Sequence, residues 1–202
     1  MLIVKSKYKI AKRLGAGVFD QTQTQKFSLS EARVKTKKPR RGGSDYGRQL
    51  IEKQRVRFTY GLSERHLSNY VEKAVHAVNP SLALHTLLEM RVDNAIYRAG
   101  LASTRRAARQ IASHGHVLIN GRRTTVPSQA LRSGDVVTIR EGSRRSPLFA
   151  GLAEKTAENN RGVPQWLEVD LALMSAKVVG TPTYEAGTLG LDYATVFEFY
   201  SR

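Results

Sequence analysis

Residues 91–140 carry the pattern that most restricts how this chain can fold. The spacing of apolar residues in 91–99 predicts a short helix, and Gly100 follows where a helix commonly stops in a left-handed conformation. Ser103 or Thr104 can cap a second helix ending near residue 114, because a hydroxyl can accept an orphan backbone N–H of the first turn. Two short consecutive helices are therefore expected here.

Three strands are predicted after these helices. The run Val117 to Ile119 is apolar, and Asn120-Gly121 is the strongest short signal for a hairpin turn. The chain returns over 122–126, and Gly134-Asp135 turns it again into a strand over 136–140. The stretch as a whole predicts two small helices packed on a small antiparallel sheet.

Positive charge is concentrated in two blocks. Lys and Arg number 16 in residues 1–60, against 4 Asp and Glu, and 11 in residues 91–151, against 3. The overall net charge of +16 makes copies of the chain repel one another unless a polyanion neutralises them, and nucleic acid is the usual polyanion. An anionic membrane surface is the alternative. No apolar run approaches the ~18 residues that span a bilayer. The two blocks predict two RNA-facing surfaces on a supporting body.

The rest of the chain predicts a mainly helical body. Residues 1–45 carry weak periodicity, which indicates a basic N-terminal extension. A helical pattern begins at Tyr46, Gly61 stops it, and Ser63 can cap the next helix. Asn79-Pro80 ends that second helix, and a further short helix leads into residue 90.

The C-terminal part of the chain shows less regular spacing of its apolar residues. Residues 141–163 are rich in Gly, Ser and Arg, which predicts a linker. The apolar anchors in 166–169 and 196–200 lack neighbours for a core of their own, so we expect both to fold back onto the helices of 46–90.

The expected fold class is therefore α+β, a helical body into which a small RNA-binding module is inserted. The predicted domains are a basic extension over 1–45, a helical body over 46–90 that is completed by 153–202, and the RNA-binding module over 91–152.

RNA binding is the chemistry that this pattern favours. Double-stranded RNA hides its base edges in a deep, narrow groove, so a binding protein needs several cations at fixed separation on a rigid surface. Capped helices supply such a surface, and the planar fork of arginine binds phosphate oxygens in pairs. The arginines that would form the RNA-binding surface are Arg91, Arg98, Arg105, Arg106 and Arg109. The alternative interpretation is a pair of basic helices without a specific RNA-binding role.

No catalytic, metal or cofactor site is predicted. Cysteine is absent, which excludes thiolate chemistry and a cysteine-based zinc site. His114 and His116 lack further ligands at usable spacing, and a helix C-terminus favours a structural or phosphate-contacting histidine. The sequence has neither a phosphate-binding loop nor a Gly-x-Ser-x-Gly elbow. We expect no enzyme, no small-molecule substrate and no membrane partner.

The run RVDNAIYRAGLASTRRAARQ, with SHGHVLING after it, closely resembles the RNA-binding module named after small-subunit ribosomal protein S-four. Tyrosyl-tRNA synthetases, pseudouridine synthases and a heat-shock RNA binder share that module. The flanking segments SDYGRQLIEKQRVR, WLEVD and VFEFYSR resemble the bacterial-type S-four family itself. This resemblance covers roughly residues 8–202.

The resemblance implies a primary binder of 16S rRNA at a five-way helix junction, acting early in assembly of the small subunit. It implies contact with small-subunit protein five, a role in translational accuracy, and a place at the pore through which messenger RNA enters. Some family members also repress their own translation. Many relatives carry a cysteine zinc knuckle near the N-terminus; this chain has no cysteine, so packing and RNA contact must hold residues 8–45. The lack of an apolar signal stretch indicates the cytoplasmic ribosome.

The expected site residues fall into two groups. Four cations within 37–41 are expected to contact incoming messenger RNA, with fixed rRNA or a solvated loop as the alternatives; they are Lys37, Lys38, Arg40 and Arg41. The expected rRNA contacts are Tyr8, Lys9, Lys12, Arg13, Tyr46, Gln49, Lys53, Arg55, Arg57, Arg91, Asn94, Arg98, Ser103, Thr104, Arg105, Arg106, Arg109, Gln110, His114, His116, Asn120, Arg122 and Arg123.

Two other classes use the same module. An RNA-modifying enzyme would use it for targeting, but the roughly 50 residues that follow residue 152 are too few for a catalytic domain. A free RNA chaperone of the heat-shock type would not explain the flanking segments.

Overall fold

The computed structural model describes residues 4, 6–35, 44–149, 162–185 and 190–202. The chain divides into two compact units, one formed by Met1–Leu84 with Tyr184–Arg202 and the other by His85–Thr183. Helices and an antiparallel sheet are both present, so the prediction of an α+β fold is confirmed.

The first unit is helical in its described residues. Ser44 and Ser63 cap the N-termini of the helices Asp45–Thr59 (α3) and Glu64–Val75 (α4), because their hydroxyls accept the backbone N–H groups of Gly47 and His66. The elements are α1 (Lys7–Leu14), 3₁₀ turns at Ala16–Val18 and Asp20–Thr22, α2 (Gln25–Lys35), α3 (Asp45–Thr59), α4 (Glu64–Val75), the start of α5 (Pro80–Glu89) and α9 (Tyr193–Tyr200).

The described N-terminal residues pack against the rest of the first unit, and the prediction of a basic extension over 1–45 is not confirmed. Helix α1 packs against α3, and Ala11, Leu14, Val18 and Phe27 are buried. These apolar residues are spread over three short elements, so no single helical stripe shows in the sequence. Burial of apolar surface stabilises the segment.

Helices α3, α4 and α9 form the centre of the first unit. Helix α9 packs against both α3 and α4. The buried side chains include Val56, Leu67 and Val196, and the hydroxyls of Tyr60 and Tyr193 lie 3.2 Å apart in the interior. Because α1 packs against α3, this core also supports the exposed cations of α1.

The second unit contains the sheet. Its five antiparallel strands lie in the order Arg122–Thr124 (β2), Val117–Ile119 (β1), Val136–Ile139 (β3), Ser175–Val178 (β5) and Leu167–Asp170 (β4), so β2 and β4 form the two edges. The elements are α6 (Val92–Arg98), α7 (Arg105–Ser113), β1 (Val117–Ile119), β2 (Arg122–Thr124), β3 (Val136–Ile139), α8 (Glu141–Arg144), β4 (Leu167–Asp170) and β5 (Ser175–Val178).

The predicted helix caps and hairpin of the second unit are confirmed. Thr104 caps α7, since its hydroxyl accepts the N–H of Ala107 at 3.1 Å. Asn120 and Gly121 have φ of 49° and 79°. Positive φ at both central residues is what a two-residue hairpin turn requires, because it matches the twist of the flanking strands.

Two predictions for the C-terminal part are wrong. Residues 166–169 do not fold onto the helices of 46–90; β4 pairs with β5, and β5 pairs with β3. Trp166 and Leu167 are buried in the core of the second unit because the extended sheet offers them an apolar face. Residues 141–149 are not a linker, since they form α8 and bury Phe149.

No helix among the described residues has both the length and the apolar character needed to cross a bilayer.

Candidate nucleic-acid interface

The polar side chains at the start of α6 and along it are largely enclosed, although that of Arg98 stays 26% exposed. The sequence predicts Arg91, Asn94 and Arg98 on an RNA-facing side of this helix. Arg91 instead is 3% exposed, and its Nε and Nη2 donate to the two carboxylate oxygens of Asp93 at 2.9 and 2.5 Å. This ion pair is enclosed in the protein, so it supports the module from within.

The carboxylate of Glu89 accepts hydrogen bonds from the other two predicted polar residues of α6, Asn94 and Arg98. Glu89 is 1% exposed. It accepts from Arg98 Nε at 2.8 Å, from Arg98 Nη2 at 2.9 Å and from Asn94 Nδ2 at 2.8 Å. His85, one turn earlier on α5, is also buried, and this burial lowers the pKa of its imidazole although the Glu89 carboxylate opposes the shift.

The outer face of α7 carries the exposed part of the predicted site. Arg106 and Gln110 are exposed and Arg109 is half-buried, while Ala108 and Ile111 on the opposite face are buried. Residues three and four apart share a helix face, so these three polar side chains form one row. The structure thus confirms the amphipathic helix that the sequence predicts. Ser103, which precedes the capping residue, is exposed as well.

The hairpin adds cations beside the end of α7. Arg122 and Arg123 are exposed on the edge strand β2. Arg123 Nε and Nη2 donate to the carbonyls of Gly115 and His114 at 3.1 and 3.3 Å, which ties the hairpin to the C-terminus of α7. Gly115 allows this approach, since a Cβ there would lie 2.3 Å from Arg123 Nε.

The two histidines lie where the helix meets β1. His114 is exposed, and His116 Nδ1 lies 2.9 Å from the Ser143 hydroxyl. Their ring centroids are 6.1 Å apart. Across the described parts of the chain, no three His, Asp or Glu side chains are grouped so that they could hold a metal ion. Structural and phosphate-contacting roles fit these positions.

Sequence reasoning missed cations on the neighbouring turn. Asn120 is exposed, but its side chain donates to Asp135 and accepts the backbone N–H of Val136, both at 2.8 Å. The same Asp135 carboxylate accepts the backbone N–H of Arg132. The signal was available, because two consecutive tight turns in an antiparallel sheet meet at one end. The missed exposed cation of this turn is Arg132. Arg140, whose backbone N–H donates to the His116 carbonyl, and Arg145, which follows α8, are two further exposed cations that were missed.

The two edges of the sheet carry opposite charge. Arg122 and Arg123 line β2, whereas Glu168 and Asp170 are exposed on β4. A polyanion is therefore attracted toward the β2 edge, which adjoins the C-terminus of α7, and repelled from the β4 edge. We name the set Arg106, Arg109, Gln110, His114, Arg122, Arg123 and Arg132 the α7–hairpin surface.

In the first unit, α1 displays the exposed predicted residues Tyr8, Lys9, Lys12 and Arg13. Tyr8 is 58% exposed, and its ring lies 6.1 Å from that of Phe27. These side chains offer three cations and one aromatic face on a helix fixed by packing.

Most of the predicted RNA-contacting side chains of α3 instead form hydrogen bonds within the protein. Lys53 is buried, donates to Glu64 at 2.8 Å and lies 4.2 Å from the centre of the Phe199 ring. Burial alone would raise the pKa of Glu64, but hydrogen bonds from Lys53 and Tyr200 outweigh it and lower that pKa below its usual value.

Other predicted side chains of α3 also form hydrogen bonds within the first unit. Gln49 is buried and donates to Glu198 at 3.1 Å. Arg55 donates to the Leu14 carbonyl, and Arg57 donates to the Leu62 carbonyl. Tyr46 is exposed near the ring of Phe199. Lys37, Lys38, Arg40 and Arg41 lie outside the described residues.

Comparisons with known proteins point to one family. A family described as "Ribosomal protein S4/S9 N-terminal domain" matches residues 4–90, and "S4 domain" matches residues 90–137. The chain is 39% identical to "Small ribosomal subunit protein uS4" of Roseiflexus sp. (strain RS-1), with 96% of each chain covered. It is 38% identical to the protein of that name from Borrelia recurrentis (strain A1), with 98% of this chain and 96% of the relative covered, and 36% identical to that of Chloroflexus aurantiacus, with 96% of each covered.

Proposed function

The chain belongs to the family of small ribosomal subunit protein uS4, and from that premise we propose that it is a non-enzymatic, rRNA-binding constituent of the small ribosomal subunit. Its ligand is 16S rRNA in the cytoplasmic ribosome. No cofactor enters this function.

The observation that carries the proposal is the α7–hairpin surface. It places several cations on a capped helix and a tight hairpin that Arg123 ties together through the Gly115 and His114 carbonyls. A capped helix and a tight hairpin that hold arginines at fixed spacing suit a backbone of regularly placed phosphates, because little backbone freedom is lost on binding. A solubilising charge would be scattered, whereas here the opposite sheet edge is acidic.

A second cationic surface supports binding through the first unit. Lys9, Lys12 and Arg13 are exposed on α1, and Tyr8 offers a ring on which an unpaired base can stack. Two surfaces on one protein can engage separate helices of a folded RNA, which favours recognition of a junction rather than of a single duplex. We propose that this two-surface contact lets the protein bind 16S rRNA early in assembly.

Further roles follow from family membership and belong to the same proposal. The protein contacts small-subunit protein five and thereby influences translational accuracy, and it represses its own translation where a messenger offers a similar RNA fold. Both roles rest on the similarity to uS4 proteins over nearly the whole chain.

We also propose that Lys37, Lys38, Arg40 and Arg41 hold messenger RNA at the pore through which it enters. Four cations in five residues, interrupted only by Pro39 and followed by two glycines, lack apolar neighbours for a core element. Such a segment can attract single-stranded RNA by its phosphates without sequence preference. This role is carried by the sequence alone.

The double substitution Arg106→Ala with Arg109→Ala tests rRNA binding by the α7–hairpin surface. We expect affinity for a 16S rRNA transcript to fall by about 1–3 kcal/mol, roughly 5- to 150-fold, the scale of lost charge-assisted hydrogen bonds. The circular dichroism spectrum should be unchanged, because Ala108 and Ile111 form the buried face of this helix. Binding is measured by titrating labelled RNA with the full-length protein.

A matched control removes the same charge elsewhere. Arg65 and Lys73 are exposed on α4 and lie outside both cationic surfaces. Arg65→Ala with Lys73→Ala should weaken binding by less than about threefold, since salt screens exposed charges that make no phosphate contact. Equal losses in the two double variants would show that only net charge matters and would remove the α7–hairpin surface from the proposal.

A further inference from the structure

A buried carboxylate lies beneath the cationic side of the second unit. Glu89 is the last residue of α5, and its side chain is almost completely enclosed. A carboxylate in the interior is costly unless charged and hydrogen-bonding partners surround it. Its partners include side chains of α6 and α7, namely Asn94, Arg98 and Arg105.

The contact with Arg98 fixes the plane of its guanidinium. Nε and Nη2 donate to different oxygens of Glu89, at 2.8 and 2.9 Å. Two parallel hydrogen bonds of this kind define the orientation of the fork as well as its position. The Arg98 side chain nevertheless remains 26% exposed, so part of the oriented group faces solvent.

Arg105 is held through a relay. Asn94 donates Nδ2 to Glu89 at 2.8 Å, and its Oδ1 accepts from Arg105 Nε at 2.9 Å. Arg105 Nη2 lies 3.9 Å from the Glu89 carboxylate, and its guanidinium lies 4.3 Å from the centre of the Tyr97 ring. Its side chain is 20% exposed. One carboxylate thus sets the geometry of two partly exposed arginines.

We propose that Glu89 is a positioning residue for RNA binding, which orients Arg98 and Arg105 before the ligand arrives. The inference rests on the proposed rRNA-binding function. An arginine side chain loses rotamer freedom when it binds a phosphate, and that cost falls if the protein has already fixed the side chain. Coulomb repulsion acts in the opposite direction, because a carboxylate near the RNA repels phosphate. The two effects predict opposite signs when the charge of Glu89 is removed.

The variant Glu89→Gln decides between these signs. Glutamine has nearly the same shape but only one acceptor oxygen, so it cannot keep both bonds from Arg98. We expect affinity for the 16S rRNA transcript to fall about tenfold even though the protein becomes more positive, on the scale of two side chains released. The matched control is Glu168→Gln, which makes the same charge change at an exposed position of β4. Its affinity should equal or slightly exceed that of the wild type.

A second comparison separates positioning from general stabilisation. In a protein that carries Arg98→Ala with Arg105→Ala, adding Glu89→Gln should change affinity by less than about twofold, since the residues through which Glu89 acts are gone. A persistent tenfold loss in that background would overturn the inference. Glu89→Gln binding as tightly as Glu168→Gln, with the wild type binding well, would also overturn it. A wild-type protein that fails to bind the transcript would count against the proposed function instead.

The wild-type protein offers a test that needs no substitution, and it decides the matter if Glu89→Gln fails to fold. Nuclear magnetic resonance order parameters of the arginine Nε–H groups report side-chain mobility directly. In the free protein, Arg98 and Arg105 should approach the roughly 0.85 of a rigid group, while the exposed Arg106 should lie below about 0.6. Equal mobility of all three would show that Glu89 does not position its neighbours and would contradict the inference.

Discussion

Raising monovalent salt from about 50 to about 200 mM is expected to weaken binding to 16S rRNA by roughly 10³-fold or more, if at least about six phosphates are neutralised. Each neutralised phosphate in a duplex adds ~0.9 to the slope of log affinity against log salt, because it releases a condensed counterion. The α7–hairpin surface and α1 together present enough exposed cations for such a slope. They include Lys9, Lys12, Arg13, Arg106, Arg122 and Arg132.

The slope also identifies which cations contact phosphate. Arg106→Ala with Arg109→Ala should reduce it by about two, whereas Arg65→Ala with Lys73→Ala should leave it unchanged. The measurement is a series of titrations at four or more salt concentrations with one RNA transcript. A slope near zero for the wild type would mean that phosphate contacts do not drive binding, and it would contradict the electrostatic basis of the proposed function.

Arg91→Ala is expected to lower the free energy of unfolding of the second unit by about 3–5 kcal/mol, because it leaves Asp93 buried without its cationic partner. Both residues are almost fully enclosed, and the pair is joined by two hydrogen bonds. Backbone bonds from Val92 and Asp93 to the carbonyls of Gln129 and Pro127 fix the same region, so the carboxylate cannot easily reach water. In the variant, the Asp93 carboxylate stays removed from water and no longer has the two hydrogen bonds from Arg91 that offset this cost.

Urea unfolding followed by tryptophan fluorescence measures this effect. Trp166 is the single tryptophan of the sequence and lies in the core of the second unit, so its emission reports that unit. Arg106→Ala removes the same charge from an exposed position and should stay within about 0.5 kcal/mol of the wild type. Arg91→Ala with wild-type stability and weakened rRNA binding would show instead that Arg91 acts on RNA, as the sequence alone predicts.

Local signals predicted the elements of the second unit well. A hydroxyl one residue before a helix, a glycine after it and an Asn-Gly pair between strands each have a direct stereochemical cause, and Thr104, Gly100 and Asn120 occupy those positions in the structure. The apolar face of α7 followed from spacing alone. These features depend on residues within a few positions of one another.

The direction of the α6 side chains could not be predicted in the same way. Spacing places Arg91, Asn94 and Arg98 away from the apolar face, and a polar face is usually taken as exposed. Here the helix is enclosed on nearly all sides, and Glu89 and Asp93 compensate the buried donors. A signal existed, since two carboxylates flank Arg91 at two residues' distance on each side.

The pairing of residues 166–178 depends on long-range contacts. Strand β5 pairs with β3, some forty residues earlier in the chain. The short runs WLEVD and SAKV do not indicate whether they pack on the helices of 46–90 or pair with the sheet. Their apolar character was evident from the sequence, but two hydrophobic surfaces were available to cover it. The choice is made by the open edge of β3, which needs a hydrogen-bonding partner.

Crosslinking in living cells tests the central claim, rRNA binding within the small subunit, most directly. The protein carries an affinity tag, cells are irradiated, and RNA attached to the purified protein is sequenced in parallel with sedimentation of cell extracts. We expect the protein to sediment with the small ribosomal subunit and crosslinks to concentrate on 16S rRNA, with fewer at that site for Arg106→Ala with Arg109→Ala. Recovery in the free fraction, with crosslinks on other RNAs and none on 16S rRNA, would contradict the proposed function.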